Sequence, residues 1–214
     1  MTNSVDTIMV LLVLTNLVLL GSSRMATCIR VVAIQGIALG VLPLLFAADV
    51  LEIHLWVLAL IIITMKGFVF PGLLSRTLRE LNVIREVEPF IGYGISMFAG
   101  PLALGLCFWI SSGWPLPAEI SSSLVVPVAL FTTMTGLFLI VSRKKALTQV
   151  LGYLVLENGI YSFGVALARR QPVVVELGIL LDVFVAVFVM GLAIFHINRE
   201  FDHIDTDRLS SLRS

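Results

Sequence analysis

The chain has 214 residues, 58% of them hydrophobic and only 13% charged, and its 14 basic and 14 acidic residues cancel. A soluble domain carries about 25% charged residues, so a soluble fold is excluded. Nucleic-acid binding is excluded too, because no basic stripe interleaved with aromatics is present.

Seven apolar runs are long enough to cross about 30 Å of hydrocarbon as helices: residues 7–22, 28–48, 53–74, 90–110, 120–141, 146–168 and 173–197. The expected fold is therefore an all-α, polytopic transmembrane bundle of seven spans. The first run has no basic residues before it, only Asp6, and is expected to be a retained helix rather than a cleaved signal. The second carries Gln35 just before Gly36-Ile37, and the third carries Lys66 in ITMKGFVFP, with His54 beside Glu52 at its outer end. Between the third and fourth runs lies SRTLRELNVIREVEP, residues 75–89. There Leu78, Leu81, Ile84 and Val87 recur every three residues among charges. That spacing predicts a short amphipathic helix on the membrane face, either a docking surface or a solvated connector. GWPLP, residues 113–117, predicts a rigid turn with Trp109 and Trp114 as interface anchors. Pro43, Pro71, Pro101 and Pro127 each remove a backbone donor within a span and are candidate kinks. Cys28 and Cys107 are far apart and read as ordinary buried thiols.

Lysine and arginine set the orientation. Arg24, Arg30, Arg76, Arg79, Arg85, Arg143, Lys144, Lys145, Arg199, Arg208 and Arg213 fall on one side of a seven-span arrangement. Only Arg169 and Arg170 fall on the other, and Lys66 is inside a span. The positive-inside rule then puts the N-terminus outside and the C-terminus in the cytoplasm.

The sixth and seventh runs each carry a carboxylate near mid-membrane, Glu157 and Asp182. An acid at the bilayer centre costs at least about 2.5 kcal/mol. A carboxylate withdrawn from water holds its proton to higher pH, as a proton relay requires. Two readings fit: Glu157 and Asp182 relay protons, or they form static ion pairs with Lys66 or a neighbour. Lys66 is either an ion-pair partner or a further proton station. Glu176, about 9 Å from Asp182 along the helix, is nearer the outer surface. With Gln35 and His54 it is a secondary candidate. Gln35 and Asn16 also suit interhelical hydrogen bonds, and His54 and His196 suit the interface. No phosphate loop, metal cluster or nucleophile motif is present, so the chain is expected to hold no cofactor and no catalytic centre.

The front and back of the chain share a pattern. Residues 8–24 and 128–143 end in Ser-Arg. A helix with a polar residue before Gly-Ile follows in each, then a helix with an internal ionisable residue: Gln35 and Lys66 in front, Glu157 and Asp182 behind. A parallel repeat would account for this, and so would chance likeness among apolar helices.

SRKKALTQVLGYLVLENGI, the acid-bearing helix after it and the polar tail ending DTDRLSSLRS make Val128–Ser214 similar to the K subunit of complex I. In that family two glutamates in consecutive helices lie on a lateral proton axis. Glu157 in LENGI matches one of them, and Asp182 stands where the second is expected, one methylene shorter. The whole chain, with the Lys66 segment, resembles hydrogenase-4 component E. That resemblance implies two regions: residues 1–119, with four helices, and residues 120–214, the K-like three-helix unit with its tail. It further implies a noncatalytic membrane-arm subunit in the cytoplasmic (inner) membrane, in contact with lipid and next to antiporter-like subunits. Nickel–iron and iron–sulfur centres would sit on peripheral partner subunits. The C subunit of multisubunit cation/proton antiporters is a related family with a different overall job.

Overall fold

The computed structural model describes residues 2–46, 53–80, 91–113, 122–143 and 145–167. Every regular element among them is a helix: α1 (Thr2–Gly21), α2 (Met25–Phe46), α3 (Ile53–Ile62), a π-helical stretch (Ile63–Val69), α4 (Phe70–Glu80), α5 (Tyr93–Ser112), α6 (Val125–Ser142) and α7 (Ala146–Leu167). In hydrocarbon each backbone N–H and C=O must be bonded within the protein, which a helix achieves locally.

Five segments are long and apolar enough to cross a membrane: Ser4–Gly21, Met25–Leu45, Leu55–Arg79, Tyr93–Ser112 and Val125–Ser142. They coincide with the first five runs expected from sequence. The sixth run forms α7, a 22-residue helix made more polar by Gln149, Glu157, Asn158 and Ser162. The seventh run, with Glu176 and Asp182, lies outside the described residues, as do residues 81–90, residues 114–121 and the tail. The orientation inferred from Lys and Arg thus stays an inference from sequence.

The third span differs from a plain helix. From Ile63 to Val69 it widens into π geometry, and the Phe70 N–H bonds to the Met65 carbonyl five residues back. Pro71 follows at once. A proline strips the carbonyl four residues before it of its donor and crowds it, and a π turn is one way for a helix to accommodate such a break. Beyond Pro71 the helix runs on to Glu80, so the first part of the charged 75–89 stretch continues the span. Pro43 and Pro101 lie inside α2 and α5, whereas Pro127 falls in the first turn of α6, where a missing N–H is harmless.

α2 is the central helix. It packs against α1, α3, the π stretch, α4 and α7. α6 and α7 form the most extensive pair, and α5 rests on α1 and α6. Glycines set the closest approaches. A Cβ at Gly136 on α6 would run into the backbone of Leu156 on α7, and one at Gly36 on α2 would meet Lys66 Cβ and its carbonyl within 2.8 Å.

The core is in two apolar layers. One gathers Leu19, Ile29, Phe70, Leu139 and Leu154. The other gathers Met9, Leu39, Ile62, Val128 and Tyr161. On α1, α2, the π stretch, α6 and α7 the positions between these layers are polar: Asn16 on α1, Gln35 on α2, Lys66 on the π stretch, Thr132 on α6, and Glu157 with Asn158 on α7. All six are buried.

Candidate functional site

The polar layer is a single connected set of side chains. Lys66 Nζ lies 2.6 Å from Glu157 Oε1, and both residues are almost fully buried, at 4% and 2% exposed. The ammonium also donates to Asn158 Oδ1 at 3.3 Å and sits 4.9 Å from the centre of the Tyr161 ring. Local structure explains how Lys66 gets there. The π stretch holds its backbone against Gly36, where any larger residue would collide with it. The side chain is then directed at α7, one turn below Tyr161.

Beyond Asn158 the bonds continue. Asn158 Nδ2 donates to Gln35 Oε1 at 3.3 Å. Gln35 Nε2 donates to Asn16 Oδ1 at 2.9 Å and Thr15 Oγ1 at 3.0 Å. Asn16 Nδ2 donates to Thr132 Oγ1 at 2.8 Å. The two hydroxyls end the set on main-chain carbonyls, Thr132 on Val128 at 2.8 Å and Thr15 on Leu11 at 2.8 Å. Buried polar groups in a membrane interior are expensive unless bonded, and here each is bonded to a neighbouring helix.

Of the residues singled out from sequence, the structure joins Lys66, Glu157, Gln35 and Asn16. His54 is in the first turn of α3, about 18 Å along the helix axis from Lys66. Asp182 and Glu176 lie outside the described residues. Sequence reasoning missed Asn158, Thr132, Thr15 and Tyr161. Asn158 had a signal: it directly follows Glu157 inside an apolar helix, and a second buried polar group beside an acid calls for a partner. Tyr161, one turn further, gave none beyond the aromatic content of α7.

A second buried cation was also missed. Arg143, between α6 and α7, is 2% exposed. Its Nη2 donates to the Leu20 carbonyl at 3.3 Å, and its guanidinium lies 4.4 Å from the Tyr93 ring centre. Cys28 on α2 and Cys107 on α5 are buried and are not joined in a disulfide.

The family model for NADH-ubiquinone/plastoquinone oxidoreductase chain 4L matches residues 124–214. The chain is 30% identical over 172 residues to hydrogenase-4 component E of Escherichia coli K12, a match spanning 80% of this chain and 78% of that protein. Hydrogenase-4 component E of Shigella flexneri matches to the same extent. The uncharacterized protein Rv0085 of Mycobacterium tuberculosis is 29% identical over 214 residues, spanning 94% of this chain and 92% of that one. No solved structure matches.

Proposed function

The chain belongs to the hydrogenase-4 component E family, and from that premise we propose that it works as a noncatalytic membrane-arm subunit of a complex I-related, hydrogenase-type complex. Its part is to carry a lateral proton path through Glu157, with Asp182 as the next acid and Lys66 as the charge partner of Glu157. The observation that carries this reading is the Lys66–Glu157 pair, buried in the polar layer between two apolar ones. A carboxylate so placed can be neutralised by a proton or by its lysine, and alternation between the two is what a relay needs.

The wider arrangement follows the sequence. Seven spans run from an outer N-terminus to a cytoplasmic C-terminus in the cytoplasmic membrane. A four-helix front region, residues 1–119, precedes the K-like unit, residues 120–214. The Gln35–Asn158 bond favours the internal repeat, since it pairs the residues just before Gly36-Ile37 in α2 and Gly159-Ile160 in α7. Antiporter-like membrane subunits are the neighbours that would pass protons on. Nickel–iron and iron–sulfur centres belong to peripheral subunits, since two thiols on separate helices make no cluster ligand set.

A second reading, a static scaffold, is favoured by the unbroken row of hydrogen bonds from Lys66 through Asn158, Gln35 and Asn16 to Thr132. The two separate in the assembled complex. Glu157→Gln and Asp182→Asn are expected to abolish proton translocation while the complex is still recovered. Undiminished translocation in both variants would leave only the scaffold. Nickel–iron hydrogenase genes next to this one would distinguish the assembly from a cation/proton antiporter with no redox module.

A further inference from the structure

The polar layer has a direction. Lysine only donates, so Asn158 must turn its oxygen to Lys66 and its amide nitrogen away. Gln35 then presents its oxygen to Asn158 and its nitrogen to Asn16, and Asn16 repeats the pattern toward Thr132. Every bond in this row therefore donates away from the ammonium. Three amide oxygens are turned toward the cation, and each bond polarises the next.

The row is unsuited to conduction. Amides carry no exchangeable charge at ordinary pH, and the two branches beyond Gln35 end on helix carbonyls, those of Val128 and Leu11. No titratable group lies along it beyond Asn158. Its effect falls instead on Lys66. The base of that side chain is fixed by the π stretch against Gly36, but its head lies within reach of two oxygens, Glu157 Oε1 at 2.6 Å and Asn158 Oδ1 at 3.3 Å.

We infer that Asn158, backed by Gln35 and Asn16, is a second seat for the Lys66 ammonium that holds it when Glu157 takes up a proton. This rests on the reading of Glu157 as a proton station. In the step, a proton from a neighbouring water or carboxyl group on the path bonds to the Glu157 carboxylate. The Lys66–Glu157 attraction is lost, and the Lys66 N–H···O bond to Asn158 remains. When Glu157 releases the proton onward, the carboxylate re-forms and the ammonium leans back. Asn158 and Gln35 are thus positioning residues that act through Lys66.

Glu157→Gln imitates the protonated acid, so the test is a cycle in the full complex, read as the amount of complex recovered. Glu157→Gln and Asn158→Leu are each expected to be tolerated. Together they leave the ammonium without the carboxylate charge and without the Asn158 oxygen, with only the neutral amide oxygen that Glu157→Gln brings, and recovery should fall about tenfold below the product of the single losses, a coupling usual for residues sharing one network. Adding Lys66→Met removes the cation that needs the seat and should restore recovery. Packing by Asn158 would not be rescued this way. Additive losses, or no rescue by Lys66→Met, would overturn the second seat. If Asn158→Leu alone is not recovered, rescue by Lys66→Met together with Glu157→Gln, which removes both buried charges, decides in the same sense. Proton translocation in Glu157→Gln alone tests the relay, so that reading and the second seat can fail separately.

Discussion

Lys66 and Arg143 are both cations buried to within a few percent, yet they are held in different ways. Lys66 has a carboxylate at 2.6 Å and an amide oxygen at 3.3 Å. Arg143 has a main-chain carbonyl and an aromatic face, and no carboxylate among the described residues accepts from it. Its Nη1 has no hydrogen-bond partner among them. The carbonyl it binds, Leu20, is in the last turn of α1, where helix carbonyls lack their own donors and the helix dipole favours a positive charge. Arginine does not lose its proton in proteins, and among the described residues Arg143 is held by a carbonyl and a ring, neither of which changes charge at ordinary pH. Arg143 is therefore a fixed clamp joining α1, α5 and the α6–α7 turn. Lys66 differs because its partner can change state.

The contrast depends on helix spacing, and the largest expected effect comes from disturbing it. Gly136→Val would press a side chain into the Leu156 backbone, which cannot yield, one residue from Glu157. It should push α7 off α6 and reduce recovery of the complex more than any change named below. Next is Lys66→Met, which leaves the Glu157 carboxylate buried without its cation. Breaking a buried pair on one side costs about 3–5 kcal/mol, less here to the extent that Glu157 takes up a proton. Lys66→Met with Glu157→Gln should recover most of that loss in a thermal melt of the complex. A double variant no better than Lys66→Met alone would mean that the two charges do not stabilise one another.

These two sites were not equally legible in the sequence. Lys66 and Glu157 stood out because a charge inside an apolar run needs an explanation, and the structure joins them. Gln35 stood out for the same reason, though its partner is Asn158, the neighbour of Glu157. The π stretch could not be read, because hydropathy does not distinguish bonding to the fourth residue back from bonding to the fifth. Nor could the burial of Arg143. It is one of the eleven cations that fall on one side of the arrangement expected from sequence, and the positive-inside rule reports the side of a charge, not its depth. The two apolar layers were present in the sequence as runs, but the shared level of their polar interruptions depends on helix offsets that only packing sets.

Arg143 sharpens the comparison from the other direction. Arg143→Met removes a charge-assisted hydrogen bond, for which about 1.5–3 kcal/mol is usual, and exposes the Leu20 carbonyl. Because the clamp has no part in moving protons, the complex should melt earlier, while translocation per assembled complex stays at the wild-type rate. A fall in that rate at normal stability would put Arg143 on the path and collapse the distinction.

The smallest effect should come from Tyr93. Its ring contributes to Arg143 through cation–π attraction, about 2 kcal/mol when the cation is desolvated and less where water reaches it. Tyr93 is half-buried, so about 1 kcal/mol is expected for Tyr93→Leu. The informative quantity is the coupling. In an Arg143→Met background the ring has no guanidinium to face, so Tyr93→Leu should cost measurably less there than in the wild-type chain. Equal costs in the two backgrounds would assign the ring to packing alone. The Arg143 clamp would then rest on the Leu20 carbonyl, a single neutral acceptor, and so differ still more from Lys66, which is held from two sides.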